Sequence, residues 1–315
     1  MLKIWGNLEK VKQTHIDYCR QFVNVRLQQY QEGKLLRGLA SAQKQTINSL
    51  LAIAMQNIEN ILGGSITELK LIDETLKRVD ANYSNYSDQL LKIIDYDFFS
   101  YYGLPFKKKP KLWDSYELIK GIGLKTCPYC NEGAIYTIYT ESSGKMRADL
   151  DHVLPKSKYP IFALSFHNLI PVCHSCNLVK LDKQLDVDPY TEYFDLNDRF
   201  VFHQGPSFSP LLSNDTSDSS IKFLTIDERK ANQVTALHIE ARYNHHKDIV
   251  VDIYRNKEIY NKIYNMSLSH LLPELGHLSE KDIFRMLFNV SHQLEEYHEK
   301  PYSKLTNDLL RQLNS

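Results

Sequence analysis

Two C-x-x-C pairs constrain this chain more than any other feature of its sequence. Cys127-Pro-Tyr-Cys130 and Cys173-His-Ser-Cys176 each put two thiols on one tight turn, and two such turns complete a tetrahedral four-cysteine site of the structural zinc type. A disulfide framework fits poorly with a 315-residue chain whose start, MLKIWGNLEKVKQ, lacks the features of a signal peptide. A redox C-x-x-C gives no reason for two pairs. The fifth cysteine, Cys19, falls inside an amphipathic pattern and reads as a small buried hydrophobe.

Helical periodicity surrounds this centre. Ile16, Cys19, Val23, Leu27 and Tyr30 recur every three or four residues, as do Ile47, Leu51, Ala54, Ile58 and Ile61. Gly63-Gly64 stops the second pattern, and Ser65-Ile-Thr-Glu68 opens a third with a capping box, its stripe being Leu69, Ile72, Leu76 and Val79. The rhythm breaks at "YYGLPFKKKPKLW". From Cys127 to about Tyr190 short extended segments alternate with turns, "AIYTIYT" and "ESSGK" forming a hairpin-like unit. "LLSNDTSDSS" reads as an exposed loop. Helical stripes then resume with Val234, Leu237 and Ala241, and with Ile283, Leu287, Val290 and Leu294 behind a cap at Ser279. The expected organisation is an α+β chain, mainly helical: residues 1–105 a helical N-terminal region, 106–190 a zinc-supported core, and 191–315 a helical C-terminal region.

Formal charge balances at zero, so the whole molecule exerts no long-range pull on a polyanion. Attraction to nucleic acid would come from local lysines: Lys107, Lys108, Lys109 and Lys111 in "FKKKPKLW", then Lys156, Lys158, Lys180 and Lys183. No segment is apolar for long enough to span a bilayer, and a cytoplasmic protein is the expectation.

The chemistry concentrates in "DLDHVLPKSKYP", "FHNLIPVC" and "CHSCNLVKLDK". In an extended segment Asp149 and Asp151 share one face while Leu150 and His152 share the other. The order of a strand with Asp-His, a strand with Asn168 and a helix with Asn177 resembles the ββα-metal motif of HNH endonucleases, in the variant with asparagine at the third signature position. The likeness covers roughly residues 127–185. It implies a central ββα-metal core and hydrolysis of DNA phosphodiester bonds to 5′-phosphate and 3′-hydroxyl ends.

The same resemblance implies the roles of the residues. His152 would be the general base, and Asp151 and Asn177 would hold a catalytic Mg²⁺ or Mn²⁺. Asn168 would pin the loop that orients His152, Lys180 would contact a flanking phosphate, and Asp149 would either stand in the outer shell of the metal or fix the strand. His167 and His174 are expected to be structural or phosphate-facing. His245 and His246, adjacent on a helix, diverge too widely for a metal pair.

A looser likeness, carried by "ARYNHHKDIVVDIY", is similar to the HNH subunits of Septu-type bacterial antiphage systems, whose nuclease works with an ATPase. It implies a nuclease effector in antiphage defence or restriction, with an ATPase partner. Separately, a nuclease with one active site must engage twice to cut both strands, so a dimer or larger assembly is expected where both are cut. Two alternatives stay open: a zinc-supported nucleic-acid-binding or adaptor module that does not cleave, and an HNH nuclease acting on RNA.

Overall fold

The computed structural model describes residues 2–102, 112–140, 144–209, 215–259 and 280–314. The chain divides into two compact units, one of residues 4–124 and 135–191, the other of residues 1–3, 125–134 and 192–315.

The first unit begins with helices α1 (Glu9–Gln31), α2 (Ser41–Gln56), α3 (Ile58–Gly63) and α4 (Ile66–Val79). The α1 stripe is buried as its spacing requires, with Ile16, Cys19, Val23, Leu27 and Tyr30 all below 9% exposed. The second stripe does not form one helix. Asn57 leaves helical geometry and its Nδ2 donates to the Ile53 carbonyl at 2.9 Å, so the side chain competes with the backbone ladder and α3 starts afresh. Gly64 turns to extended backbone at the end of α3, and glycine is needed there since a Cβ would stand 2.3 Å from the Asn60 carbonyl oxygen. The capping box at α4 is present: Ser65 Oγ accepts from the Glu68 N–H while the Glu68 carboxylate accepts from the Ser65 N–H at 2.7 Å. Leu69, Ile72 and Leu76 are buried, whereas Val79, at the last turn, is 38% exposed.

Three short helices follow, α5 (Ser87–Ile94), α6 (Tyr96–Tyr101) and α7 (Ser115–Ile122). The expected hairpin is β1 (Ile138–Thr140) paired antiparallel with β2 (Gly144–Met146). Next come β3 (Asp149–His152) and β4 (Leu169–Val172), antiparallel with Asp149 opposite Val172 and His152 opposite Leu169. Helix α8 (His174–Lys180) follows directly and packs on β3. Asn168 closes a 3₁₀ turn, Phe166–Asn168, just before β4 rather than lying within the strand.

The second unit is not wholly helical, a correction to the expected C-terminal region. β5 (Arg199–His203) pairs antiparallel with β6 (Ser220–Leu224). Phe200, Val201 and Phe202 are all buried while Arg199 and His203 at the strand ends are exposed, so both faces of the strand's middle are covered. Ser220, expected in a loop, starts β6; residues 211–214 of that stretch lie outside the described residues. Helices α9 (Glu228–Ala236), α10 (Ile239–Asn244), α11 (Lys247–Ile259), α12 (Glu280–Phe288) and α13 (Ser303–Asn314) complete the unit. Val234 and Leu237 are buried, Ala241 is exposed, and the expected cap at Ser279 lies outside the described residues.

Helix α13 covers β5 and satisfies its open edge. Asp308 Oδ2 and Gln312 Oε1 accept from the Phe200 and Phe202 N–H groups, each at 2.9 Å, as a neighbouring strand would. Lys304, two per cent exposed, sits 2.7 Å from Asp308 and so pairs the buried carboxylate.

Candidate metal centre and active site

The four paired cysteines converge. The Sγ atoms of Cys127, Cys130, Cys173 and Cys176 all lie within 4.8 Å of one another, the one group of metal-ligating side chains of this kind among the described residues. A tetrahedral zinc site with bonds of about 2.3 Å requires sulfurs about 3.8 Å apart, so this donor set fits a thiophilic ion. No pairing among these cysteines is a disulfide.

Local structure builds each turn. Asn131 adopts a left-handed φ of 50° after Cys130, which lets the Glu132 and Gly133 N–H groups point back at Cys130 Sγ from 3.4 and 3.5 Å. Such N–H···S contacts favour a thiolate over a thiol. The Asn131 side chain is itself anchored, donating to Thr126 Oγ1 and to the Tyr297 and Lys300 carbonyls while accepting from the Lys304 N–H. The second turn is different in kind. Cys173 is the N-cap of α8, its carbonyl accepting from the Asn177 N–H at 3.1 Å, and Cys176 lies one turn along on the buried side. Cys19 lies apart in α1, where burial raises its thiol pKa and keeps it unreactive.

The strand pair and α8 bring the signature residues together, but in pairs that differ from the expected ones. Asn177 Nδ2 donates to Asp149 Oδ2 at 3.0 Å, and His174 Nδ1 lies 2.9 Å from the same oxygen. Asp151 instead meets Lys180, whose Nζ is 3.0 Å from Asp151 Oδ1 and donates to the His152 carbonyl at 2.6 Å. Lys180 is 1% exposed, so the expected phosphate contact is corrected: its ammonium faces inward and neutralises a buried carboxylate. Lys180→Met should remove the cation that pairs with the buried Asp151 carboxylate, costing about 3–5 kcal/mol of stability in urea denaturation. An unchanged midpoint would show that the pair is not structural.

His152 is held in one tautomer. Its Nε2 is 3.1 Å from the Ala163 carbonyl, which can only accept, so Nε2 carries the proton and Nδ1 keeps its lone pair, without a protein partner among the described residues. The Tyr96 ring stands edge-on at 4.6 Å, and Lys156 Nζ lies 4.7 Å over that ring. Burial, then the Lys156 charge, lowers the His152 pKa to about 3, so the imidazole is neutral near pH 7. Asn168, fully buried, closes the loop behind it. Its Oδ1 accepts from the Leu154 N–H at 2.7 Å, and its Nδ2 donates to the Leu154 and Phe162 carbonyls.

A second histidine holds the same loop, and the sequence reading passed it over. His15 on α1 donates from Nε2 to the Leu164 carbonyl at 2.8 Å, the residue next to the Ala163 carbonyl that fixes His152. Its Nδ1 accepts from Trp113 Nε1 at 3.0 Å; an indole N–H only donates, so His15 too is neutral. The available signal was its place one turn before Cys19 on the buried face of α1.

Burial lowers the His15 pKa from 6.5 to about 4. The unfolded chain therefore takes up the proton first as pH falls, and stability present above pH 6.5 is lost between there and about pH 4, at most roughly 3 kcal/mol. Urea denaturation at pH 7 and pH 5 should show this loss, and it should shrink in His15→Gln; equal losses in the two proteins would contradict the assignment.

Lys156 and Lys158 lie at the surface beside this loop, their amines 3.4 Å from Asp97 Oδ1 and 3.3 Å from the Asp182 carbonyl. Lys107, Lys108, Lys109 and Lys111 lie outside the described residues. His167 Nδ1 stands 3.7 Å from Asp188. His246 lies 3.5 Å from Glu132, and neither it nor His245 joins a metal-ligating cluster among the described residues. No described helix is long and apolar enough to cross a membrane. No family model, curated protein or solved structure matches the chain.

Proposed function

We propose that the chain is a metal-dependent endonuclease of the HNH type that hydrolyses phosphodiester bonds in DNA. The observation that carries this reading is the state of His152: a neutral imidazole whose Nε2–H is tied to a carbonyl and whose Nδ1 is left to take a proton. In this reading Nδ1 accepts the proton of a water as its oxygen attacks phosphorus, and the 3′ oxygen departs. The negative charge of the phosphodiester offsets the Lys156 charge and raises the proton affinity of the ring as substrate arrives. Asn168 keeps the loop, and so the Ala163 carbonyl, in place.

Asn177 and the two β3 carboxylates, Asp151 and Asp149, are the hard oxygen donors that would hold Mg²⁺ or Mn²⁺. When bound, such an ion withdraws charge from the phosphate and the leaving oxygen. Lys180 already engages one oxygen of Asp151, and Asn177 lies against Asp149, so Asp149 takes a direct rather than an outer role in this proposal. The four cysteines would hold zinc and fix the start of α8, which carries Asn177.

The proposed setting is a nuclease effector of bacterial antiphage defence or restriction, delivered to DNA by an ATPase partner, since a chain of zero formal charge recruits a polyanion weakly by itself. Engagement of Asp151 by Lys180 also favours a second reading, a zinc-supported module that binds without cutting. End analysis of the products separates the readings. Cleavage should yield ends that a DNA ligase rejoins without prior phosphorylation, and 3′-phosphate ends or intact DNA would overturn the proposed chemistry.

A further inference from the structure

Next to Asp149 the first unit carries a polar cavity of about 340 Å³, lined by Ser100, Tyr101, Tyr116, Met146, Arg147 and Asp149. None of the first five is used by the proposed chemistry. Arg147 is fixed in place: its two terminal nitrogens donate to the Ala148 carbonyl at 2.8 Å and to Ser100 Oγ at 3.0 Å, and its guanidinium lies 5.6 Å from the centre of the Tyr116 ring. Ser100 is itself held by the α6–α7 packing, its carbonyl accepting from Ser115 Oγ at 2.9 Å. A guanidinium so held keeps N–H donors for an incoming acceptor and needs little reordering to use them. Tyr101 contributes a ring that is 73% exposed and so is open to a stacking partner.

We infer that this cavity is a nucleotide subsite, in which a base flanking the scissile bond leaves the stack to lie against Tyr101 while its phosphate meets Arg147. The inference rests on the nuclease reading and deepens it, because it names the substrate form. Paired bases present no free face to a tyrosine, so the subsite selects single-stranded, gapped or locally opened nucleic acid over intact duplex. Asp149 lines the same cavity, so the subsite adjoins the carboxylate that the proposed chemistry assigns to the metal.

The test is fluorescence anisotropy of a dye-labelled single-stranded oligonucleotide and of its duplex, with Mg²⁺, in the full-length His152→Ala protein. Single strand should bind more tightly than duplex. Tyr101→Ala, which removes an exposed ring and spares the fold, should weaken single-strand binding by roughly five- to a hundredfold, the range for loss of one base stack. Arg147→Gln should weaken it and reduce its salt dependence. If single strand and duplex bind alike and Tyr101→Ala binds as its parent does, the subsite is wrong while the nuclease reading stands. If neither oligonucleotide binds, the subsite is overturned, while the nuclease reading is decided by plasmid cleavage.

Discussion

Cys173→Ser is expected to cost the protein its bound zinc and several kcal/mol of stability. Structural zinc sites release about 10–16 kcal/mol of apparent binding free energy, comparable with the whole stability of a domain at about 5–15 kcal/mol. A hydroxyl in place of one thiolate removes a soft donor from a set of four whose sulfurs all lie within 4.8 Å. The damage should spread, because Cys173 is also the N-cap of α8, and α8 carries Asn177 and Lys180. Metal analysis and thermal melting check this: the variant should hold substoichiometric zinc and melt well below the parent. Cys19→Ala is the internal control, since Cys19 lies outside the cluster, and it should keep full zinc. A Cys173→Ser protein with unchanged metal content and melting temperature would show that the four cysteines do not form a structural metal site.

His152→Ala is expected to lower the cleavage rate by about 10²–10⁴-fold, the usual worth of a positioned general base. The effect should be chemical rather than structural. The ring makes one hydrogen bond, to the Ala163 carbonyl, whereas Asn168 makes the contacts that close the loop and remains in place. The variant should therefore keep its zinc and melt near the parent temperature. Initial rates of plasmid relaxation by equal amounts of zinc-loaded protein give the ratio, and a loss smaller than about tenfold would remove His152 as the base.

Much of the frame was legible because periodicity and capping act locally. The α1 stripe, the Ser65–Glu68 box and the β1–β2 hairpin each rest on residues close in the chain. The cysteine spacing was legible for the same reason at each pair, and chemistry then demanded that the pairs meet. What the sequence did not disclose were partners chosen by tertiary packing. Lys180 reads as a surface lysine, and its burial against Asp151 depends on how α8 lies on β3. His15 is far from the "DLDHVLPKS" stretch in sequence, yet it holds the carbonyl beside the one that fixes His152. The break at Asn57 was hidden because the apolar stripe continues across it, while the amide side chain takes the Ile53 carbonyl. The β5–β6 pair is a different kind of miss, for the short apolar run of "RFVFH" has no alternation and does not by periodicity separate a buried strand from a buried helix turn.

The most direct test of the central claim is incubation of the purified, zinc-loaded protein with supercoiled plasmid in Mg²⁺ or Mn²⁺, with and without EDTA, and with labelled RNA in parallel. The account predicts conversion of supercoiled to nicked or linear DNA that requires the divalent ion and stops in EDTA. Cleavage of RNA alone would move the substrate, and cleavage that persists in EDTA would contradict the metal-dependent nuclease assigned to this site.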